Sequence, residues 1–139
     1  MRRLIALIPF VFAFVGCSRG DNLELVPVEG IVTLNGTPLA DAAVVFHPKP
    51  KGRPSMGRTD QDGRFRLEYV EGKKGALAGK HTVSISTMIE ADSDSDDPNV
   101  QKGRPESVPA EFNSATTLEV EIEAGPGEMI EFPLETASN

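Results

Sequence analysis

The sequence predicts an all-β domain, a single seven-stranded antiparallel sandwich, and three observations support this prediction. Apolar and polar residues alternate with a period of two in several short segments, which is typical of strands with one buried face. The 139 residues include 13 Gly and 11 Pro, many of which separate these segments. After residue 26, the chain lacks the apolar spacing of an amphipathic helix.

The first predicted strand covers residues 28–34, where Val28, Val32 and Leu34 share one face. Asn35-Gly36 follows and favours a two-residue hairpin turn, since both central residues of that turn need a positive φ. Residues 42–47 are rich in β-branched and aromatic side chains. The sequence therefore predicts that they form the partner strand of this hairpin.

A short strand is predicted at residues 55–59, followed by a tight turn formed by Asp60, Gln61, Asp62 and Gly63. The Asp60 carboxylate is expected to accept backbone N–H groups within its own turn. Residues 64–69 then alternate strictly as one strand. This alternation places three side chains on the buried face: Phe65, Leu67 and Tyr69.

The remaining strands are predicted at residues 81–86, 117–123 and 130–134, after a flexible loop at 72–79. Pro133 favours an edge position for the last strand because proline lacks the N–H that a central strand donates. The 117–123 strand is expected to carry three carboxylates on its solvent face: Glu119, Glu121 and Glu123.

Residues 1–16 have the pattern of a secretory signal peptide: a basic start and then an apolar run at 4–15. A helix over this run reaches only about 18 Å, against a hydrocarbon core of about 30 Å. The segment Phe14-Val15-Gly16-Cys17 resembles the lipobox of bacterial lipoproteins, although that motif usually has Leu where this chain has Phe14. The alternative is an ordinary signal peptide that leaves Cys17 as a free thiol.

The lipobox resemblance implies lipidation of Cys17 and a tether over residues 17–26 that holds the domain near the membrane. The protein is then an exported, membrane-anchored lipoprotein at the outer membrane, its periplasmic face or the cell surface. Ser18 follows the cysteine, in place of the Asp that resembles an inner-membrane retention signal in some bacteria. Among bacteria with two membranes, this favours the outer one.

The charge balance argues against several classes of partner and cofactor. The chain has 14 basic and 21 acidic residues and a net charge of −7, so it lacks the basic surface of a nucleic-acid binder. Two histidines and one cysteine provide few ligands for a transition-metal site. The sequence therefore predicts no nucleic-acid partner, no metal and no cofactor.

Three segments, residues 30–46, 59–65 and 79–85, resemble carboxypeptidase-regulatory-like domains. This resemblance covers about residues 27–135 and implies a transthyretin-like (prealbumin-like) sandwich of seven strands. With the lipobox, the chain resembles small bacterial lipoproteins that carry only this domain. The matching motifs form turns and strands, so they imply a fold and not a catalytic site.

Related enzymes differ from this chain at their functional residues. The transthyretin-like enzyme that hydrolyses hydroxyisourate carries several histidines and a Tyr-Arg-Gly-Ser ending. In this chain, residues 135–139 read Glu-Thr-Ala-Ser-Asn. Intradiol dioxygenases hold iron with two tyrosines and two histidines, but Tyr69 is the only tyrosine here. His47 and His81 are predicted to be ordinary side chains at strand ends. A non-enzymatic role is expected, with hydrolase activity as the least favoured alternative.

An acidic run suggests calcium binding, because four carboxylates lie close together: Asp92, Asp94, Asp96 and Asp97. An EF-hand loop starting at Asp92 fails at its sixth and twelfth positions, which are Asp97 and Gly103. The favoured interpretation is a disordered acidic loop at about residues 89–115. Val108 and Phe112 are expected to hold this loop to the core.

A protein partner suits the chain better than a glycan does, because it lacks Trp and Tyr69 is in phase with the core. The loops at residues 48–55 and 90–113 are candidate contact surfaces. The first holds most of a basic cluster: Lys49, Lys51, Arg53 and Arg58. The sequence therefore predicts an accessory or interaction domain that contacts an envelope protein or glycan. The alternative is a calcium- or glycan-binding adhesion module.

Overall fold

The computed structural model describes residues 23–49, 51–70 and 72–137. The predicted signal peptide, Cys17 and most of the predicted tether lie outside the described residues. The described chain is mainly β, which confirms the predicted class. In chain order the strands are β1 Leu25–Val26, β2 Val28–Leu34, β3 Thr37–Pro38, β4 Ala43–Pro48, β5 Ser55–Arg58, β6 Arg64–Arg66, β7 Glu68–Val70, β8 Lys73–Lys74, β9 Ala76–Leu77, β10 Gly79–Ser86, β11 Glu119–Ile122 and β12 Glu128–Leu134.

The strands form two main sheets whose inner faces meet in one core. The larger sheet has the order β11-β10-β4-β5-β7-β8, and every pairing in it is antiparallel. In the smaller sheet, β2 lies between β12 on one side and both β3 and β6 on the other. A third, two-stranded sheet pairs β1 with β9. β9 lies within residues 72–79, which the sequence predicts to be a loop.

The predicted all-antiparallel arrangement is wrong for one pair of strands. β12 runs parallel to β2 over its full length, from Glu128 opposite Val28 to Leu134 opposite Leu34. The chain reaches β12 from β11 in the larger sheet, so no hairpin joins β12 to its neighbour. Parallel pairing requires such a crossover connection, and the alternation along a strand carries no information about its direction.

The hairpin after β2 has the predicted turn but a different partner strand. Asn35 and Gly36 have φ values of 51° and 81°, and Leu34 pairs with Thr37 across the turn. The predicted partner, residues 42–47, lies instead within β4, between β10 and β5 in the larger sheet. It cannot extend the hairpin because β6 occupies the same side of β2, opposite residues 29–31.

The single strand predicted at residues 64–69 is divided into β6 and β7, which belong to different sheets. The chain crosses between the sheets at Leu67, which is buried. Gly57 on β5 permits this crossing, since a Cβ there would collide with the Arg66 carbonyl oxygen. Past the crossing the alternation of buried and exposed residues is interrupted. Tyr69 is only half-buried, so its predicted place in the core is wrong.

β12 is an edge strand, as the position of Pro133 predicts. The Glu128 amide donates to the Pro27 carbonyl at 2.9 Å, and the Leu134 carbonyl accepts from the Asn35 amide at 2.8 Å. The even-numbered residues of β12 therefore direct their backbone polar groups toward β2, and the odd-numbered ones direct theirs away from it. Pro133 is odd-numbered, so its missing N–H removes a donor from the free edge.

The core lies between the two main sheets and is centred on three phenylalanine rings. The Phe46 centroid on β4 is 6.4 Å from that of Phe65 on β6 and 6.1 Å from that of Phe132 on β12. Phe65 and Phe132 stack at 6.1 Å. Each sheet thus contributes aromatic side chains to the same cluster, which joins the two layers.

Replacing Gly30 with Ala is expected to reduce the free energy of unfolding by about 1 to 3 kcal/mol. A Cβ at Gly30 would collide with the Ile130 carbonyl oxygen and the Phe65 ring, both of which are fixed by sheet pairing and core packing. Gly125→Ala is the matched control, because nothing lies within 4 Å of its added Cβ. Urea unfolding of both variants measures the difference, and equal stabilities would contradict the expectation.

The sequence predicts disorder for residues 89–115, but the structure gives this segment defined elements. It contains α1 (Pro98–Lys102), a 3-10 turn at Ala110–Phe112 and a β-bridge between Ile89 and Arg104. Val108 is buried in the core, and Phe112 packs against it. Hydrogen bonds to residues distant in sequence hold the segment in place. The composition of the segment alone therefore does not reveal that it is ordered.

Candidate functional site

A groove of about 350 Å³ lies on the outer face of the smaller sheet, beside the crossing at Leu67. We call it the arginine groove, and its lining side chains include Arg58, Arg64, Arg66, Glu29, Ile31 and Met129. The strand registers explain how these residues come together. Met129, Glu29 and Arg66 form one row across β12, β2 and β6, and Ile31 and Arg64 belong to the next row.

Two of the three arginines are held by carboxylates. Arg66 Nε lies 2.8 Å from a Glu29 carboxylate oxygen, directly across the β2–β6 pair. Arg58 donates to Asp41 Oδ1 at 2.8 Å. Arg64 forms no ion pair with any carboxylate among the described residues. Its cross-strand neighbour is the apolar Ile31, so its guanidinium is available to a ligand.

The turn at residues 60–63 fixes the backbone at the entrance to the groove. Asp60 Oδ1 accepts hydrogen bonds from the Asp62 and Arg64 amides, each at 2.9 Å. Gly63 has a φ of 74°, and its carbonyl accepts from the Val32 amide at 2.8 Å. The residues that the sequence assigns to a structural turn therefore also set the position of Arg64.

A second polar cluster joins the long 89–115 segment to the sheets through Asp41 and Arg104. Arg104 donates to Asp41 Oδ2 and to the Asp41 carbonyl, both at 2.7 Å, and to the Thr87 carbonyl at 2.7 Å. The hydrogen bond from Arg58, assisted by Arg104, holds the pKa of Asp41 below its ordinary value despite the opposing effect of burial. Asp41 itself has a φ of 55°, which marks the bend before β4.

Glu106 also holds the 89–115 segment to the sheets. Its carboxylate accepts a hydrogen bond from the Ser86 hydroxyl and others from the amides of Thr87 and Val108, each at 2.9 Å. The Thr87 hydroxyl adds a further bond at 2.7 Å. Burial raises the pKa of Glu106, but these hydrogen bonds outweigh it and lower the pKa to about 2. We call Glu106 and these donors the Glu106 anchor.

The acidic run forms no calcium cage in the structure. Asp92 Oδ1 accepts from the Asp94 amide at 3.0 Å, and Asp97 Oδ1 accepts from the Asn99 amide at 2.8 Å as the N-cap of α1. Asp94 and Asp96 are the other two carboxylates of the acidic run that suggests calcium binding. Among the described residues, no group of three or more His, Cys, Asp or Glu side chains could hold a metal ion. Asp92 and Asp97 thus serve the backbone of their own loop.

The two histidines lie in different environments. His47 is exposed on β4, and its Nε2 lies 3.3 Å from the Ser84 hydroxyl. His81 is buried under the Phe46 ring, with Nε2 bonded to the Leu77 carbonyl at 2.7 Å, whereas the sequence suggests an ordinary strand-end side chain. Its Nδ1 has no hydrogen-bond partner among the described residues.

The basic cluster predicted near residues 49–58 does not form one patch. Lys49 pairs with Glu119 on the edge strand β11, whereas Arg58 lies in the arginine groove. The backbone amide of Arg53 donates to the Tyr69 hydroxyl at 3.4 Å. Arg64 and Arg66 are not among the candidate binding residues predicted from the sequence. Their spacing of two residues on a strand already places them on one face.

In the part of the chain that the structure describes, we find no helix of the length and apolar character needed to span a membrane. Comparison with known proteins finds no matching family model, no matching curated protein and no matching solved structure.

Proposed function

We propose that this chain is an exported lipoprotein, anchored to a membrane by lipid on Cys17 and carrying a non-enzymatic accessory or interaction domain. The observation that carries the proposal is the position of Cys17, the only cysteine, at the end of a lipobox-like segment. That segment follows a basic start and an apolar run too short to span a bilayer. The thiol is the nucleophile that accepts the lipid.

The proposed domain is a carboxypeptidase-regulatory-like, transthyretin-like sandwich of the seven-stranded type. Two sheets with a shared core and short connecting turns support this assignment. The first described strand lies close to the proposed lipidation site, since β1 begins eight residues after Cys17. A tether of that length holds the domain close to the membrane surface.

An interaction role fits the distribution of polar groups better than an enzymatic one. Among the described residues, Glu106 is the carboxylate with the most strongly lowered pKa, and its oxygens accept hydrogen bonds within the protein. The buried His81 packs against the Phe46 ring. Three guanidinium groups with access to solvent converge in the arginine groove, which suits binding to an envelope component.

Metabolic labelling with a radioactive fatty acid tests the anchor in cells that express the full chain. We expect label in the wild-type protein and in Ser18→Ala, and none in Cys17→Ser, because serine lacks the thiol that accepts the lipid. Fractionation is expected to place the two labelled proteins with membranes and Cys17→Ser with the soluble fraction. Label in Cys17→Ser, or its absence from the wild type, would contradict the proposal.

The same strains test the interaction role by chemical crosslinking in intact cells. A tethered domain meets envelope partners at a high local concentration, so the wild type is expected to give crosslinked species that Cys17→Ser does not. Identical crosslinked species from both proteins would show that contact does not depend on the anchor.

A further inference from the structure

We infer that the arginine groove binds a small organic monocarboxylate, one negative charge joined to an apolar body. The inference concerns the arginine groove alone and does not rest on the lipid anchor. It follows from three properties of the groove: the guanidinium of Arg64 that no carboxylate among the described residues pairs, the fixed position of Arg64 and the apolar side chains beside it.

The charge of the groove is opposite to that of the chain as a whole. Three guanidinium groups and two carboxylates, Glu29 and Asp60, line it, whereas the whole chain has a net charge of −7. Arg58 and Arg66 are engaged by carboxylates, and Arg64 has none among the described residues. The one groove guanidinium without an ion pair among the described residues is matched by a ligand with one negative charge.

The position of Arg64 is set before a ligand arrives. Its amide donates to Asp60 Oδ1 at 2.9 Å, and its carbonyl accepts from the Asp60 amide at 2.8 Å. The pairing of Arg64 with Ile31 across β6 and β2 further restricts the position of its backbone. Only the exposed side chain must be ordered on binding, and a guanidinium offers two parallel N–H donors that match the oxygens of a carboxylate.

The rest of the lining favours an apolar body on the ligand. Ile31 and Met129 contribute apolar side-chain surface to the groove, and Met129 is 62% exposed. The volume of about 350 Å³ lies at the lower end of small-molecule sites, about 300 to 1,000 Å³. It accommodates a single ring or a short aliphatic chain. A flexible methionine side chain adapts to either shape.

Calorimetric titration of the full chain in a non-ionic detergent tests this inference with four probes: benzoate, acetate, benzyl alcohol and phenyl phosphate. We expect benzoate to bind most tightly, because acetate lacks the apolar body, benzyl alcohol lacks the charge and phenyl phosphate carries a second charge. Arg64→Gln is expected to weaken benzoate binding about tenfold. Lys74→Gln, which also removes one positive charge but lies on β8 outside the groove, is expected to leave it unchanged.

Each other result overturns the inference in a distinct way. Equal binding of benzoate and benzyl alcohol would show that the charge is not recognised, and tighter binding of phenyl phosphate would assign the groove to phosphate esters. Equal weakening by Arg64→Gln and Lys74→Gln would reduce the effect to overall charge. No binding of any probe at millimolar concentration would exclude the site while leaving the fatty-acid labelling of Cys17 unaffected.

Discussion

Phe46→Ala is expected to lower the free energy of unfolding by about 3 to 5 kcal/mol. The Phe46 side chain is fully buried on β4 and contacts the aromatic rings of Phe65, Phe132 and His81. Removing it leaves a cavity where the two sheets meet. The neighbouring side chains are fixed by the registers of their strands, so they cannot move far enough to fill that space.

Urea denaturation followed by far-ultraviolet circular dichroism measures this loss, since the chain has no Trp and one Tyr to report by fluorescence. Met56→Ala is a suitable control because Met56 lies on the adjacent strand β5 but is 55% exposed. Its effect is expected to stay within about 0.5 kcal/mol. Similar losses in the two variants would show that the aromatic cluster does not hold the sheets together.

Glu106→Ala is expected to lower the free energy of unfolding by about 2 to 4 kcal/mol. The carboxylate accepts hydrogen bonds from the amides of Thr87, Ser107 and Val108 and from two hydroxyl groups, so its removal leaves several donors without a partner. Limited proteolysis should also cleave residues 89–115 faster, because this substitution releases the segment from the end of β10. Unchanged cleavage would contradict the role of the Glu106 anchor.

The contribution of Glu106 depends on pH in a defined direction. Its pKa in the folded protein, about 2, lies below the ordinary value of 4.5, so the folded state favours the charged form. The resulting stability is complete above about pH 4.5 and is lost as the pH falls toward 2. The stability difference between wild type and Glu106→Gln should therefore shrink across this interval. Glu111→Gln, an exposed change in the same segment, is the control for the substitution itself.

Local turn chemistry was readable from the sequence because a turn depends on neighbouring residues. Asn35-Gly36 has the positive φ values that its residue types favour, and Asp60 accepts the amides of its own turn. The alternating pattern likewise identified most strands and their buried faces. It could not give strand direction or sheet membership, so the parallel pairing of β12 and the transfer of β4 to the larger sheet appeared only in the structure.

The order within residues 89–115 could not be predicted for a different reason. Its acidic composition favours a solvated loop, but Glu106 finds its partners at Ser86 and Thr87, and Arg104 finds Asp41. These partners lie 17 or more residues away in sequence. The arginine groove is also assembled from distant strands, and only the alternate spacing of Arg64 and Arg66 gave a local sign of it.

The parallel pairing of β12 with β2 affects when the chain can finish folding. Val28 pairs with Glu128, so the central strand of the smaller sheet acquires its second neighbour only after almost the whole chain is available. Closing a loop of that length makes the pairing slow compared with local hairpins. During synthesis from the N-terminus, β2 must remain without this partner until the last strand emerges. The smaller sheet is therefore completed only after β12 has been synthesised, whereas the pairing of β4 with β5 can form earlier.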